Sequence, residues 1–223
     1  MTTFVLVHGA WHGPWAWDRI VPLLHAAGAR TLTPELSVSG GLHDHAETVI
    51  TALDAVRDDD VVLVGHSYAG LVVREAADAR ADAVGHVVLV DGWAGPDGSS
   101  LFGLAPETTV RALLAAAGDG PSIPAPPPAA YGVTDPGDVA WLAPRLVPQS
   151  RRSFTETTRL SGAVDRIPGT ALWCRPKTYA FEELGQSVGY RTRALDAPHD
   201  VMVTHPASLA RLLLQDAEAR SLE

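Results

Sequence analysis

The sequence predicts an α/β protein: a doubly wound, mainly parallel sheet of about six strands with a helical lid inserted after the fourth strand. The sheet is predicted because short β-rich runs alternate with helical patterns. Three of these runs are almost continuously apolar, as strands covered by helices on both faces are. The lid is predicted because roughly 75 residues separate the fourth run from the fifth, far more than a crossover helix needs.

The predicted core comprises residues 1–94 and 168–223, in which strand patterns and helix patterns follow one another. Between the second and third strands, residues 42–56 repeat apolar side chains at the spacing of one helix face. Residues 208–220 carry the pattern of a final helix. The six predicted strands are residues 3–9, 30–36, 61–67, 86–92, 170–176 and 190–196.

The predicted lid, residues 95–167, should contain three short helices and a proline-rich stretch. Residues 106–118 form the first helix, with a proline in the first turn and a glycine as the stop signal. Residues 120–132 carry so many prolines that neither a helix nor a central strand is expected there. The other two helices are expected within residues 135–144 and around residues 153–160. Together they would cover the carboxyl ends of the strands, where ligands bind in such sheets.

Composition and charge exclude several partners and sites. The net charge of −9 repels phosphate backbones and the 17 basic residues form no stripe, so nucleic acid is not expected as a partner. No segment approaches the ~18 consecutive apolar residues of a membrane span, and MTTFVLVHG lacks the features of a signal peptide. We therefore expect a cytoplasmic protein without membrane association. Cys174, the single cysteine, allows no internal disulfide, and no metal site is predicted.

A candidate nucleophile, Ser67, lies where an apolar strand gives way to a helical pattern, in the stretch VVLVGHSYAG (61–70). Small residues at Gly65 and Ala69 allow the sharp strand-to-helix turn that exposes a serine hydroxyl, the nucleophile elbow. The full pattern has glycine at the position of Ala69. The alternative interpretation is an ordinary turn in which Ser67 caps the helix.

A nucleophilic serine needs a base, and His199 is the best candidate among nine histidines. It lies on the loop after the last predicted strand, at the end of the sheet where Ser67 is expected. His205, which precedes a proline, is expected to mark the start of the final helix instead. Five other histidines are expected to be structural or solvated: His25, His43, His45, His66 and His86.

Acyl transfer also needs hydrogen-bond donors for the developing oxyanion. In a sheet of this kind they are the amide after the nucleophile and one from the loop after the first strand, here Tyr68 and Ala10. Gly9 permits the sharp turn that aims the second amide inward. Trp11 and His12 on the same loop are candidate pocket residues, with packing in the core as the alternative for the aromatic side chains.

These motifs together resemble the α/β-hydrolase superfamily. The resemblance is to its esterase and hydroxynitrile lyase branch, which includes plant methyl-salicylate-type esterases and bacterial pyrethroid-hydrolase-like esterases. The resemblance implies the α/β-hydrolase fold, Ser67 as nucleophile, His199 as base, the amides of Ala10 and Tyr68 as oxyanion hole, and no cofactor. The matching stretches are FVLVHGAWHGPWAWDRIVPLL (4–24), VVLVGHSYAGLV (61–72), HVVLVDGWAGPDG (86–98) and HDVMVTHPASLARLLL (199–214).

The acid that should orient the histidine departs from the pattern of these enzymes. There it usually follows the strand predicted at 170–176, but here Arg, Pro and Lys follow Cys174, and no carboxylate precedes Glu182. Asp91, at the carboxyl end of the fourth predicted strand, is the first candidate. Glu182, Glu183, or the absence of an acid remain as alternatives.

The leading hypothesis is a serine hydrolase that cleaves a small, largely uncharged carboxylic ester or lactone through an acyl-enzyme. The alternative is a non-hydrolytic lyase, cyclase or dehydratase of a biosynthetic pathway, and a third is a binding protein without turnover. Specificity should reside in the lid, and a homodimer is left open. The apolar lid residues that would line the pocket or fill the lid's own core are Leu101, Phe102, Leu104, Tyr131, Trp141 and Phe154.

Overall fold

A six-stranded, all-parallel sheet forms the centre of the structure, a computed structural model that describes residues 1–56 and 60–220. Residues 57–59 and 221–223, which the predicted core includes, lie outside the described residues. The strand order is β2-β1-β3-β4-β7-β8. The strands are Thr2–Val7 (β1), Arg30–Leu32 (β2), Asp60–His66 (β3), His86–Val90 (β4), the short pair Ser122–Ile123 (β5) and Gln149–Ser150 (β6), Gly169–Arg175 (β7) and Arg191–Asp196 (β8).

Helices cover both faces of the sheet, and the four central strands β1, β3, β4 and β7 send alternate side chains into two separate apolar layers. On β1, for example, Val5 and Val7 belong to one layer, whereas Phe4 and Leu6 belong to the other. The helices of the core are Val21–Ala26 (α1), Leu42–Asp54 (α2), Ala69–Ala79 (α3), Phe181–Ser187 (α8), Val201–Thr204 (α9) and Pro206–Arg220 (α10).

The strand order reverses at β1, from which the chain runs outward to β2 and then returns to β3 on the other side. The carboxyl ends of β1 and β3 are therefore neighbours at a topological switch point, where open α/β sheets bind ligands. The register pairs Val7 with Gly65, so the segments that follow, at Gly9 and Ser67, begin side by side.

The segment between β4 and β7, residues 95–167, packs on the layer that contains Val5 and Val7. Its Ile123, Leu142 and Phe154 are completely buried there together with side chains of the sheet and of α2 and α3. Its end is also bound to α3, since Glu75 accepts a hydrogen bond from the Arg159 amide. Its helices are Leu101–Leu104 (α4), Glu107–Ala117 (α5), Pro136–Leu142 (α6) and Arg151–Thr155 (α7).

Two expectations for this segment are wrong in detail. The helix expected around residues 153–160 is instead Arg151–Thr155. It ends there because the backbone becomes extended at Glu156. Beyond it, the Thr158 amide donates to the Ser99 carbonyl, and the Ser99 amide donates to the Thr158 hydroxyl. The proline-rich stretch is not free of helix, since Pro128–Tyr131 form one 3-10 turn. Pro128 begins that turn, where its missing N–H leaves no hydrogen bond unmade. Among the described residues, no helix is both long enough and apolar enough to span a membrane.

Candidate active site

Ser67 occupies a strained turn between β3 and α3. Its φ of 53° lies in the left-handed region, which costs a non-glycine residue about 1–2 kcal/mol. The turn is held by the Ser67 amide, which donates to the Val90 carbonyl at 3.1 Å, and by the Ser67 carbonyl, which accepts from the Trp93 amide at 3.0 Å. A side chain at Gly65 would lie 2.7 Å from the Ala69 carbonyl oxygen, so this close crossing of strand and helix requires glycine.

Ser67, His199 and Asp91 form a continuous line of hydrogen bonds. The Oγ atom of Ser67 lies 3.0 Å from Nε2 of His199, and Nδ1 of the same ring lies 2.7 Å from Oδ2 of Asp91. The carboxylate only accepts, so Nδ1 carries the proton and Nε2 is left to accept the serine hydroxyl proton. This is the tautomer that a general base for Ser67 requires.

Asp91 follows β4 directly and is almost completely buried. Its second oxygen, Oδ1, accepts a hydrogen bond of 2.8 Å from the Cys174 amide near the end of β7. The other two candidate acids lie elsewhere, since Glu182 and Glu183 each form a 2.8 Å ion pair with Lys177. Burial, followed by the nearby charge of Asp91, raises the pKa of the Cys174 thiol and keeps it protonated.

The loop after β1 approaches the turn at Ser67 closely enough to require glycine at its bend. A side chain at Gly9 would lie 2.8 Å from Nδ1 of His66 and 3.1 Å from Cβ of Ser67. The Gly9 carbonyl accepts hydrogen bonds from His8 Nδ1 at 2.9 Å and from the His12 amide at 3.4 Å. The Gly9 carbonyl belongs to the same peptide as the Ala10 amide, so these bonds contribute to the orientation of that amide. Burial lowers the pKa of His8 to about 4, so its ring is neutral near pH 7.

The two predicted oxyanion donors flank Ser67. Ala10 lines the same cavity as Ser67, and Tyr68 is the next residue in the chain. Within the described chain, neither the Ala10 amide nor the Tyr68 amide donates a hydrogen bond to a protein acceptor. The Tyr68 ring is fully buried, and its hydroxyl donates to Nδ1 of His45 at 2.8 Å. His45 on α2 is thus structural, as expected.

His66 and Asp200 lie close to His199. Nε2 of His66 donates to the His199 carbonyl at 3.1 Å, and burial followed by the nearby His199 holds the pKa of His66 well below its ordinary value. Ligand atoms of His66, His199 and Asp200 lie within 4.8 Å of one another. Both ring nitrogens of His199 already bond to Ser67 and Asp91, so this cluster offers no open ligand set for a metal.

Ser67 lines a partly enclosed cavity of about 90 Å³. That volume accommodates one small organic group. Thr109 and the hydroxyl of Tyr179 supply polar atoms, and none of the described residues that line the cavity is Asp, Glu, Lys or Arg. The lining residues are Ala10, Trp11, Ser67, Trp93, Leu101, Thr109, Leu113, Pro126, Ala130, Tyr131, Phe154, Thr178, Tyr179 and His199.

Of the three candidate pocket residues, only Trp11 lines this cavity, and the expectation for His12 and Trp141 is wrong. His12 is buried beside it, where Nε2 binds Asp200 Oδ2 at 3.0 Å and Nδ1 donates to the Ala10 carbonyl at 2.8 Å. Burial alone would lower the pKa of His12, but the Asp200 carboxylate raises it above 6.5. Trp141 packs instead against Trp15 and under the guanidinium of Arg19.

Three of the apolar lid candidates, Leu101, Tyr131 and Phe154, line the cavity, whereas Phe102 and Leu104 pack around it. Sequence analysis missed several lining residues on the core side. Trp93 follows Asp91 by two positions, and Thr178 and Tyr179 follow β7. These residues could have been found from the sequence, because they lie just beyond the carboxyl ends of predicted strands, where such sheets bind ligands.

The sequence matches a known protein family over most of its length. A family model described as "Alpha/beta hydrolase family" matches residues 4–212. The chain belongs to the alpha/beta hydrolase family. It is 32% identical to a carbendazim hydrolyzing esterase of Nocardioides sp. (strain SG-4G), over 96% of this chain and 98% of that protein. It is 36% identical to an alpha-hydroxynitrile lyase of Arabidopsis thaliana, over 34% of this chain and 33% of that protein.

The fold is shared with solved structures. An extracellular alpha/beta-hydrolase from a Paenibacillus species superposes with a TM-score of 0.86 at 20% identity, covering 96% of this chain and 98% of that one. The predicted α/β-hydrolase fold and the resemblance to the esterase and hydroxynitrile lyase branch are therefore confirmed. The esterase relative also supports the predicted enzyme class, a carboxylic-ester hydrolase of this superfamily.

Proposed function

We propose that this alpha/beta hydrolase cleaves a small, uncharged carboxylic ester or lactone through an acyl-enzyme on Ser67. The observation that carries the proposal is the unbroken hydrogen-bonded line from Ser67 through His199 to Asp91, with Ser67 on the wall of a mostly apolar cavity. Serine, base and acid in this order are the arrangement that activates a hydroxyl for acyl transfer.

In the first step, Oγ of Ser67 attacks the ester carbonyl carbon while Nε2 of His199 takes the hydroxyl proton. The amides of Ala10 and Tyr68 bind the oxyanion that forms. Asp91 holds the Nδ1 proton and stabilises the imidazolium. His199 then protonates the alkoxide that leaves, so the carbon–oxygen bond of the ester breaks and the acyl group stays on Ser67.

In the second step, a water enters the site vacated by the alcohol and His199 takes its proton. The resulting hydroxide attacks the acyl carbon, and Oγ of Ser67 leaves with the proton returned from Nε2. A carboxylic acid is released and the enzyme regains its starting state. With a lactone, the alcohol remains attached to the acid and a hydroxy acid is formed.

The cavity supports an uncharged substrate of limited size. Burial of an unpaired charge costs several kcal/mol, and the described lining residues include no carboxylate, ammonium or guanidinium to pair with one. Aromatic rings from Trp11, Tyr131 and Phe154 form one wall. The volume of about 90 Å³ suits a short acyl group.

The test is hydrolysis of p-nitrophenyl acetate by the wild type and Ser67→Ala, combined with labelling by a fluorophosphonate and mass spectrometry of the intact chain. We expect turnover and one covalent label in the wild type, and neither in Ser67→Ala. Equal turnover in both chains would overturn the proposal.

A lyase reaction is the second candidate, because the chain also matches an alpha-hydroxynitrile lyase. In that reaction His199 would move the proton of a substrate hydroxyl, while Ser67 would only hold the substrate oxygen. Cleavage of mandelonitrile without hydrolysis of any ester in a series of acyl lengths would favour the lyase.

A further inference from the structure

Trp11, the residue after the candidate oxyanion donor Ala10, has a strained backbone. Its φ of 66° lies in the left-handed region, which a bulky side chain rarely occupies and which persists only where the surroundings hold it. The strain sits two backbone bonds from the Ala10 α-carbon, so a relaxation at Trp11 would turn the neighbouring peptide planes. Something must therefore fix this loop from outside.

The inserted segment, residues 95–167, binds Trp11 at three points. The Val147 amide donates to the Trp11 carbonyl at 3.0 Å, and the indole nitrogen donates to the Ile123 carbonyl at 3.1 Å. The Trp11 amide donates to Oε1 of Gln149 at 3.3 Å. The Trp11 ring also packs against Phe154, with centroids 5.3 Å apart.

Among these three hydrogen bonds, Gln149 supplies the one group that comes from a side chain of the inserted segment, and a partner orients its amide. It is almost fully buried on β6. Its Nε2 donates to the Ser153 hydroxyl at 3.1 Å, and that hydroxyl donates its proton to the Ser150 carbonyl at 2.7 Å. The Ser153 oxygen can therefore only accept, which fixes Nε2 toward Ser153 and Oε1 toward Trp11.

The peptide between Ala10 and Trp11 is thus held at both ends. His12 in the core binds its carbonyl oxygen at 2.8 Å, and Gln149 in the inserted segment binds its N–H. We propose that Gln149 is a positioning residue through which the inserted segment sets the direction of the Ala10 amide in the oxyanion hole. The inference rests on the proposed function, because it assigns a role within that reaction.

Loss of the Gln149 amide should weaken binding of the transition state and leave ground-state binding nearly intact. The oxyanion forms only during reaction, and a displacement of about 1 Å by a distant substitution lowers the rate about 100-fold. The side chain of Gln149 does not line the cavity, so KM has little reason to change.

The test compares Gln149→Met, which preserves length and volume, with Thr158→Val as a matched control. Thr158 is another buried residue of the inserted segment, and its hydroxyl bonds to Ser99 and Pro96 rather than to Trp11. With p-nitrophenyl acetate we expect kcat of Gln149→Met to fall about 10- to 100-fold, with KM within about 3-fold of the wild type. Thr158→Val should keep its kcat even if both variants lose the same Tm.

Inhibition by an aryl trifluoromethyl ketone gives a second readout, since this probe adds to the serine and forms an oxyanion. Its inhibition constant should rise in Gln149→Met by the same factor as kcat falls. If Gln149→Met does not fold, Ser153→Ala removes the group that orients the Gln149 amide and should lower kcat by a smaller factor.

The positioning role would be overturned if Gln149→Met, or Ser153→Ala in its place, folded and kept the wild-type kcat. It would also be overturned if Thr158→Val lost as much kcat as Gln149→Met at equal Tm. Full activity of Ser67→Ala measured alongside would instead overturn the proposed function. The two failures are therefore separate.

Discussion

Oδ2 of Asp91 lies 2.7 Å from Nδ1 of His199, although 108 positions separate the two residues in the sequence. The carboxylate reaches the ring from the end of β4, while the end of β7 supplies the Cys174 amide to its other oxygen. The carboxyl end of strand β7 thus contributes a backbone donor that holds the Asp91 carboxylate. The end of strand β4 therefore carries the carboxylate, and the adjacent strand β7 binds it.

Asp91→Asn should lower kcat about 10⁴-fold, because an asparagine can present its amide to Nδ1 and leave the wrong tautomer facing Ser67. Glu182→Gln is the matched control, since Glu182 binds Lys177 on the surface. Its kcat should stay within about 2-fold of the wild type. Steady-state hydrolysis of p-nitrophenyl acetate measures both. A large loss in Glu182→Gln with little change in Asp91→Asn would reverse the assignment of the acid.

Ser67→Gly should be more stable than Ser67→Ala by about 1 kcal/mol, although both should be inactive. The φ of 53° strains any side chain at this position, and glycine adopts it freely. The free energies of unfolding come from urea denaturation. Glycine and alanine substitutions at Glu47, an exposed residue in the middle of α2, should give the opposite order, because glycine in a helix interior costs about 1 kcal/mol relative to alanine. Equal stabilities of the two Ser67 variants would mean that the turn is unstrained.

The free energy of unfolding should fall as the pH is lowered from about 6.5 to about 4, partly because of His8. Burial lowers the pKa of His8 from 6.5 to about 4, opposed by its bond to the Gly9 carbonyl and assisted by His12 and His45. In this range the unfolded chain binds a proton that the folded chain does not. Above pH 6.5 His8 does not lower the free energy of unfolding, because its ring is neutral in both states. Below pH 6.5 that free energy falls progressively, and at pH 4 the loss due to His8 is roughly 3 kcal/mol.

His8→Gln, which keeps a donor and an acceptor but does not titrate, should show a shallower dependence over the same range. Urea denaturation at several pH values measures the slopes. His45 and His66 also have lowered pKa values caused by burial, so a residual slope is expected. Parallel curves for the wild type and His8→Gln would show that His8 does not contribute.

Leu113→Ala should extend the range of acyl groups that the enzyme accepts. Leu113 of α5 lines the cavity, and its truncation removes several carbon atoms from the wall opposite the core. One methylene in an apolar pocket changes kcat/KM about 10-fold or more. We expect the ratio of kcat/KM for p-nitrophenyl hexanoate to that for the acetate to rise about 10-fold. Leu114→Ala, on the same helix but outside the lining, should leave the ratio unchanged.

The strands of the parallel sheet could be predicted from the sequence because their signal is local. Apolar runs such as residues 61–67 indicate buried parallel strands, and the small residues around Ser67 indicate a turn that few other sequences permit. The observed strand β3, Asp60–His66, lies within one residue of that prediction. His199 could be found because the loop after the last strand must end near the same edge of the sheet.

The acid and the pocket could not be fixed in this way, because they depend on distances across the fold. Asp91 and Glu182 are both carboxylates near strand ends, and only the packing shows which of them faces His199. His12 was predicted to line the pocket, but its ring binds the buried carboxylate of Asp200 instead. The role of Gln149 carries no sequence signal, since one glutamine in a loop-rich segment resembles any other.

The apolar layer that residues 95–167 share with the sheet limits how this protein could have diversified. Ile123, Leu142 and Phe154 complete a layer that the sheet, α2 and α3 begin, so the insertion is not a detachable module. Deletion would expose the apolar side chains of this layer that the segment covers, and a transplanted segment would need matching side chains at the same contacts. New substrate preferences are therefore more accessible through substitutions in the cavity wall than through exchange of the whole segment.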